Sequence, residues 1–246
     1  MLRVWAQTDV GCVRTNNEDA YWEGGDAGWH LAVVADGMGG HQAGEVASRV
    51  AVEVVGRLVQ AADPAGKSPA ACQQLLSTAV ARANEKVYAL ARQEPAFAGM
   101  GTTLTAALIH GSALELAHVG DSRAYRLRAG RLELLTEDHS LVQELVNKGT
   151  LSPAEARFHP QRHILTRALG TEPELKVDLK HQETLPGDVL LLCTDGLSGV
   201  LEDAELEEVL NRVPRREVTA ELVHRANSKG GRDNITVVVV EVGALQ

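Results

Sequence analysis

A layered α+β fold, with two β-sheets packed face to face beneath covering helices, is the class this sequence predicts. Three observations carry it. Several strand-length runs, residues 31–35 and 189–193 among them, are apolar on both faces and so need cover from two sides. Helical segments come in pairs between blocks of strands, without strict β-α-β alternation. No internal repeat or low-complexity linker divides the 246 residues, so a single domain over 1–246 is expected.

Taken in order, residues 3–8 and 18–22 read as short strands on either side of DVGCVRTNNED, a polar, turn-rich loop, and 31–36 as a third strand. From Ala43 the positions Val46, Ala47, Val50, Ala51, Val54, Val55, Leu58 and Val59 recur at helical spacing, with Arg49, Glu53 and Arg57 on the other face. ADPAGKSP (62–69) breaks that helix. A second one buries Cys72, Leu75, Leu76, Ala79, Val80, Ala83 and Val87 and stops by Pro95. Residues 101–109, 113–121, 122–128 and 131–136 alternate with short turns and predict an antiparallel meander. DHSLVQELVNKG starts another helix, with Ser140 and Gln143 at capping-box spacing. Residues 147–163 are polar, contain Pro153 and Pro160, and read as a surface excursion. Strands return at 177–184 and 188–195, helices at 203–211 and 215–228, and NITVVVVEV is the last strand.

Composition narrows the function. Hydrophobic residues make up 44% but aromatics only 3%, so the core is built mostly of Val, Leu and Ala. A formal net charge of −9 disfavours nucleic acid and anionic membrane as partners. Cys12, Cys72 and Cys193 are isolated, so no disulfide framework or zinc ribbon is supported. MLRVWAQTDV has no signal-peptide core and no stretch is long enough to span a bilayer, so a cytoplasmic location is expected.

The chemistry gathers around LAVVADGMGGHQAGE (31–45). The apolar run ends abruptly at Asp36, and a carboxylate at the mouth of a buried strand is costly unless something positive meets it. The Asp36-Gly37 step lets a carbonyl point with the carboxylate, a pair of oxygens suited to a hard divalent cation. Asp195-Gly196 and Asp233-Asn234 repeat the theme at two later strand ends. Singly, each Asp is equally well a helix cap or a turn residue. Upstream, Arg14 precedes Glu18 and Asp19 in a loop, and Arg is shaped for bidentate phosphate binding. AGKS (65–68) is not a Walker A motif, because its first glycine is Ala61. DGMGGHQAG is not a dinucleotide loop, because Gln42 stands where its last glycine belongs.

RTNNED, VVADGMGGH, GTT, VGDSRAYR, DHS, LTRALG, GDVLLLCTDGL and GGRDNIT occur in this order over residues 3–242. Together they resemble the PPM family, the type 2C metal-dependent serine/threonine protein phosphatases, in their compact bacterial form. The resemblance implies a sandwich of two antiparallel sheets with a helical layer on each outer face. It also implies a binuclear metal site in a cleft at one end, with residues 147–163 as a flap beside it. Asp36 then matches the carboxylate that bridges two metals, Gly37 lends its carbonyl to one, and Asp195 and Asp233 complete the other. Glu18 and Asp19 match residues that hold metal-bound waters, and Arg14 the phosphate clamp. Asp121 matches the residue that shares a third, weaker metal with Asp195, and Asn234 orients the neighbouring strand end.

Two tightly bound Mg²⁺ or Mn²⁺ ions suit such an all-oxygen shell and acidify a bridging water to near neutral pH. The implied activity is hydrolysis of phosphoserine and phosphothreonine in proteins, opposing a serine/threonine kinase. A catalytically silent regulatory relative and a hydrolase of small phosphate esters are the alternatives. Where many relatives carry a general-acid His, this chain has Met38, which leaves His41 or a metal-bound water as the proton donor.

Overall fold

Side-chain alternation decides which way each strand faces. The computed structural model describes residues 2–26, 28–39 and 43–243. It opens with strands β1 (Leu2–Asp9), β2 (Asp19–Asp26) and β3 (Trp29–Met38). Along β3, Leu31, Val33 and Ala35 point to one side and Ala32 and Val34 to the other, and all five are buried. Helices α1 (Ala43–Ala62) and α2 (Pro69–Gln93) follow, the second started by Ser68, whose hydroxyl accepts from the Ala71 N–H. They cover the Leu31, Val33 and Ala35 side with Ala47, Ala51, Val55, Leu76 and Val80.

Next come β4 (Gly101–Thr102), β5 (Leu104–His110), β6 (Ala113–Val119), β7 (Arg123–Arg128) and β8 (Arg131–Leu134). These do not form the single meander expected over 101–136. β5 and β6 pair in one sheet, β7 and β8 in the other, and the chain crosses between sheets at Gly120, Asp121 and Ser122. Gly120 has a φ of +105° and is packed so closely on Thr103 that a Cβ would collide with it. The chain therefore kinks there. β6 and the middle of β7 are buried throughout, and stacking one hairpin on the other covers both.

Two short helices, α3 (Leu141–Asn147) and α4 (Pro153–Phe158), precede β9 (Asp178–Glu183) and β10 (Val189–Cys193). Ser140 caps α3, but the Gln143 side chain turns to Asn147, 2.9 Å away, and the reciprocal capping box belongs instead to Ser152 and Glu155 of α4. α5 (Asp195–Ser198), α6 (Asp203–Arg212), α7 (Val218–Ser228) and β11 (Ile235–Val242) complete the described chain.

The first sheet runs β1-β11-β10-β7-β8; the second runs β2-β3-β5-β6-β9, with β4 on β3. All pairings are antiparallel. α5, α6 and α7 cover the first sheet over Val237, Val239 and Leu191, while Val238, Val240, Leu190 and Leu192 meet Ala32, Val34 and Leu116 between the sheets. The result is the four-layer α-β-β-α arrangement. Leu190, 1% exposed in the inter-sheet layer, should cost about 2–5 kcal/mol when cut to alanine. Leu58→Ala, on the exposed side of α1, should stay within about 0.5 kcal/mol. Urea unfolding of both variants with unchanged m-values checks this contrast.

Candidate active site

Three acidic strand ends meet at one edge of the sandwich. In the β2–β3 register Asp19 lies directly opposite Asp36. Opposed residues of an antiparallel pair share a face, with Cβ atoms about 4.5–5.5 Å apart, so these two carboxylates repel. Asp19 Oδ2 accepts from the Thr194 hydroxyl at 2.7 Å, while its buried Oδ1 has no partner. Thr194 Oγ1 in turn accepts from the Thr236 N–H at 2.9 Å, which joins the ends of β10 and β11 to the start of β2. Asp195 follows immediately at the start of α5. A Cβ on Gly196 would strike the Asn234 carbonyl, and one on Gly37 the carbonyls of Gly44 and Glu18. Glycine at these steps lets the acidic turns press together.

The loop before β2 is clasped from β11. Asn234 accepts from the Glu18 N–H at 2.8 Å and donates to the carbonyls of Val10 and Asn16 at 3.0 and 2.9 Å. Its amide is thus fully engaged with main chain. The Glu18 side chain lies against Gly44, where an added Cβ would be 2.9 Å from its carboxyl carbon. Arg14, half-exposed, donates to Asp233 Oδ2 at 2.8 Å.

Asp36 is braced from β4 and β5. Its N–H donates to Thr103 Oγ1 at 2.8 Å, and its carbonyl accepts from the Thr102 hydroxyl and the Thr103 N–H at 2.8 and 2.9 Å. Thr103 Oγ1 also meets Ser122 Oγ at 2.7 Å, beside Asp121 on the crossover. Asp121 and Asp195 line a cleft of about 560 Å³ together with Arg157, Arg162 and His163 from the polar excursion. His163 Nδ1 stands 3.8 Å from Asp195 Oδ2.

Crowding marks the electrostatics. Burial, then the charges of Asp19, Asp195, Asp121 and Asp233, hold Asp36 well above the usual carboxylate range. Burial and then Asp195 and Asp138 do the same to Asp121. Asp19 is pushed up to about 7, chiefly by burial, against the hydrogen bonds from Thr194 and Thr236 and with the charges of Asp195 and Asp233. Arg14 is the one cation paired with this group among the described residues. Unpartnered buried oxygens on Asp19 and Asp195, in an acidic all-oxygen setting, fit a hard divalent cation. Among the described residues no three His, Cys, Asp or Glu side chains close on one point. A cation held here therefore draws on main-chain oxygen and water as well as carboxylate, the habit of Mg²⁺ and Mn²⁺.

The structure thus brings Arg14, Glu18, Asp19, Asp36, Gly37, Asp121, Asp195, Asp233 and Asn234 to one end of the fold. His41 lies outside the described residues. Met38 packs towards Gly101, on which a Cβ would be 2.7 Å from the Met38 methyl. Thr103, Ser122 and Thr194 escaped the sequence reading as site residues, although GTT, GDS and CTD each contain one.

A sequence model of the family described as protein phosphatase 2C matches residues 13–237. The serine/threonine protein phosphatase PstP of Mycobacterium tuberculosis is 43% identical over 242 residues, covering 98% of this chain. This chain spans about half of that relative, 45% of its length. The serine/threonine phosphatase Stp of Listeria innocua is 40% identical over 98% of this chain and 96% of its own. The solved catalytic domain of PstP in complex with two manganese ions superposes with a TM-score of 0.88 at 40% identity, covering 99% of each chain. The chain belongs to the protein phosphatase 2C family.

Proposed function

We propose that this chain hydrolyses phosphoserine and phosphothreonine monoesters in proteins with the help of bound Mg²⁺ or Mn²⁺, in the cytoplasm and in opposition to a serine/threonine kinase. The observation that carries the reading is the convergence of Asp19, Asp36, Asp121, Asp195 and Asp233 at one end of the fold, where burial and then the neighbouring charges oppose the ionisation of Asp19, Asp36 and Asp121. Such a group is unfavourable without a cation and well disposed with one. When bound, divalent cations supply an acidified water and offset the charge of the phosphate. Asp36, the Gly37 carbonyl, Asp195 and Asp233 would hold a tight pair of ions, and Glu18 and Asp19 would hold water beside them. Asp121 and Asp195 would hold a third, weaker ion. No helix among the described residues is long and apolar enough to cross a membrane.

The residues of the chain itself perform the remaining work. Arg14 stands at the rim, its guanidinium already beside Asp233, and presents the fork geometry that meets phosphate oxygens. Thr102 and Thr103 fix the Asp36 backbone from both its N–H and its carbonyl, which sets the position from which the carboxylate projects. Pro153, Ala156, Arg157, Arg162 and His163 of the segment 147–163 line the same cleft as Asp121 and Asp195, where the segment meets the polypeptide around the phosphorylated residue.

Phosphate release from a phosphothreonine peptide, followed in Mn²⁺ and in chelator, tests the whole reading. Release in Mn²⁺ that stops with chelator is expected, and Asp36→Ala or Asp233→Asn should abolish it while weakening Mn²⁺ binding in calorimetry. A protein inert in Mn²⁺, or either variant near normal, would overturn it. Arg14→Ala should raise KM and weaken inhibition by product phosphate with Mn²⁺ affinity retained. Collapse of metal binding at unchanged KM would instead make Arg14 a support for Asp233. Shortening 147–163 should spare a small aryl phosphate and change the ranking of phosphopeptides; equal losses on both would mark the segment as scaffold.

A further inference from the structure

The DHS motif has no role in the chemistry above, yet it grips the loop that carries Asp121 at both ends. At one end, the Gly120 N–H donates to His139 Nδ1 at 3.1 Å and the His139 N–H donates to the Gly120 carbonyl at 2.7 Å. At the other, Arg123 meets Asp138 through two parallel hydrogen bonds, Nε to Oδ1 at 2.9 Å and the terminal nitrogen to Oδ2 at 2.8 Å. Between them Ser122 is fully buried against Thr103, the residue that also holds the Asp36 N–H. Asp121 lines the cleft, and so do Arg123 and its partner Asp138.

His139 is suited to one bonding pattern. Its Nδ1 must accept from Gly120, which leaves the ring proton on Nε2, and Nε2 faces Asp178 Oδ2 at 3.2 Å. Arg167 of the LTRALG motif holds the other oxygen of Asp178 at 2.7 Å. The ring is buried, 4% exposed, and packs 4.8 Å from the ring of His118. Two motifs distant in sequence thus build one chain of contacts, Arg167 to Asp178 to His139 to Gly120, that ends on the residue before Asp121.

We propose that Asp138 and His139 are positioning residues for Asp121, clamping the crossover loop so that its carboxylate stands beside Asp195 in the cleft. This rests on the reading of Asp121 as a holder, with Asp195, of the weaker third ion. Groups that orient a ligand without touching the metal commonly change its affinity by about 10–100-fold when removed. The clamp bears chiefly on the weak ion, because its own hydrogen bonds end on Gly120 and Arg123 and it reaches the backbone of Asp36 only indirectly, through Ser122 and Thr103.

The experiment compares Asp121→Ala, His139→Ala and the double variant in the full chain, titrating Mn²⁺ against turnover of a phosphothreonine peptide and counting tight ions by calorimetry. His139→Ala should keep both tight ions and raise the Mn²⁺ concentration needed for half-maximal turnover by about tenfold. His139→Asn, whose carboxamide oxygen can accept from Gly120, should recover most of that shift. The double variant should be no worse than Asp121→Ala, since residues that act through one another are not additive. An unchanged Mn²⁺ requirement in His139→Ala, loss of a tight ion, or multiplied losses in the double variant would each overturn the clamp. Wild-type behaviour of Asp121→Ala would overturn the reading of Asp121, and the clamp with it. If His139→Ala does not fold, Asp138→Asn takes its place in the same cycle and is judged by the same outcomes.

Discussion

Mutual repulsion among carboxylates at one end of a β-sandwich is the constraint on which the rest of this structure depends. Asp19 and Asp36 sit opposite each other in register, and Asp121, Asp195 and Asp233 raise the cost of ionising them further. A fold left to lower its own energy would not gather these groups. The structure holds them with backbone that cannot yield: Gly37 and Gly196 are pressed on carbonyls where no Cβ fits. Asn234 and the Thr103 hydroxyl are engaged in fixing main chain rather than in neutralising charge, while Thr194 reaches the Asp19 carboxylate and Arg14 that of Asp233. Binding of a divalent cation and the stability of this end of the molecule are therefore one problem.

The two-sheet core makes such a gathering affordable. Strands buried on both sides, such as β3 and β11, are stiff and fix where their ends emerge. Asp36 emerges from the second sheet, while Asp195 and Asp233 flank strands of the first. The site thus straddles both sheets, and the inter-sheet layer of Ala32, Val34, Leu190, Leu192, Val238 and Val240 sets the separation between its halves. The helices on the outer faces serve this indirectly, by burying the other side of each strand.

What was legible in the sequence was local. An apolar run that meets an Asp-Gly step marks a carboxylate at the end of a buried stretch, which is how Asp36 and Asp195 stood out, although β3 does not end at Asp36 but runs on to Met38 through its pairing with β4. The helices α1 and α2 declared themselves by apolar spacing alone. Pairing was less legible, because it depends on residues far apart. Residues 113–121 and 122–128 look like successive meander strands, and only the packing of Gly120 on Thr103 sends them to different sheets. The opposition of Asp19 and Asp36 is likewise a matter of register. The hydroxyls of Thr103, Ser122 and Thr194 were invisible as site residues, since a buried threonine carries no signal until its partners are known.

Thr103 shows how tightly the two parts of the site are joined. Its single hydroxyl oxygen lies 2.8 Å from the Asp36 nitrogen and 2.7 Å from the Ser122 hydroxyl, and it accepts from the first. Its backbone N–H adds a bond to the Asp36 carbonyl, and its side chain blocks any Cβ at Gly120. One buried residue on a short strand connection therefore touches the backbone of Asp36, assigned to the tight ions, and the loop assigned to the weak one. A β-branched side chain is suited to this, because its restricted χ1 keeps the hydroxyl aimed while the methyl fills the space against Gly120. Serine would keep the oxygen without the methyl, and valine the shape without the oxygen. Neither substitution preserves both contacts, so the spacing between Asp36 and Asp121 depends on the oxygen and the methyl of this one residue together.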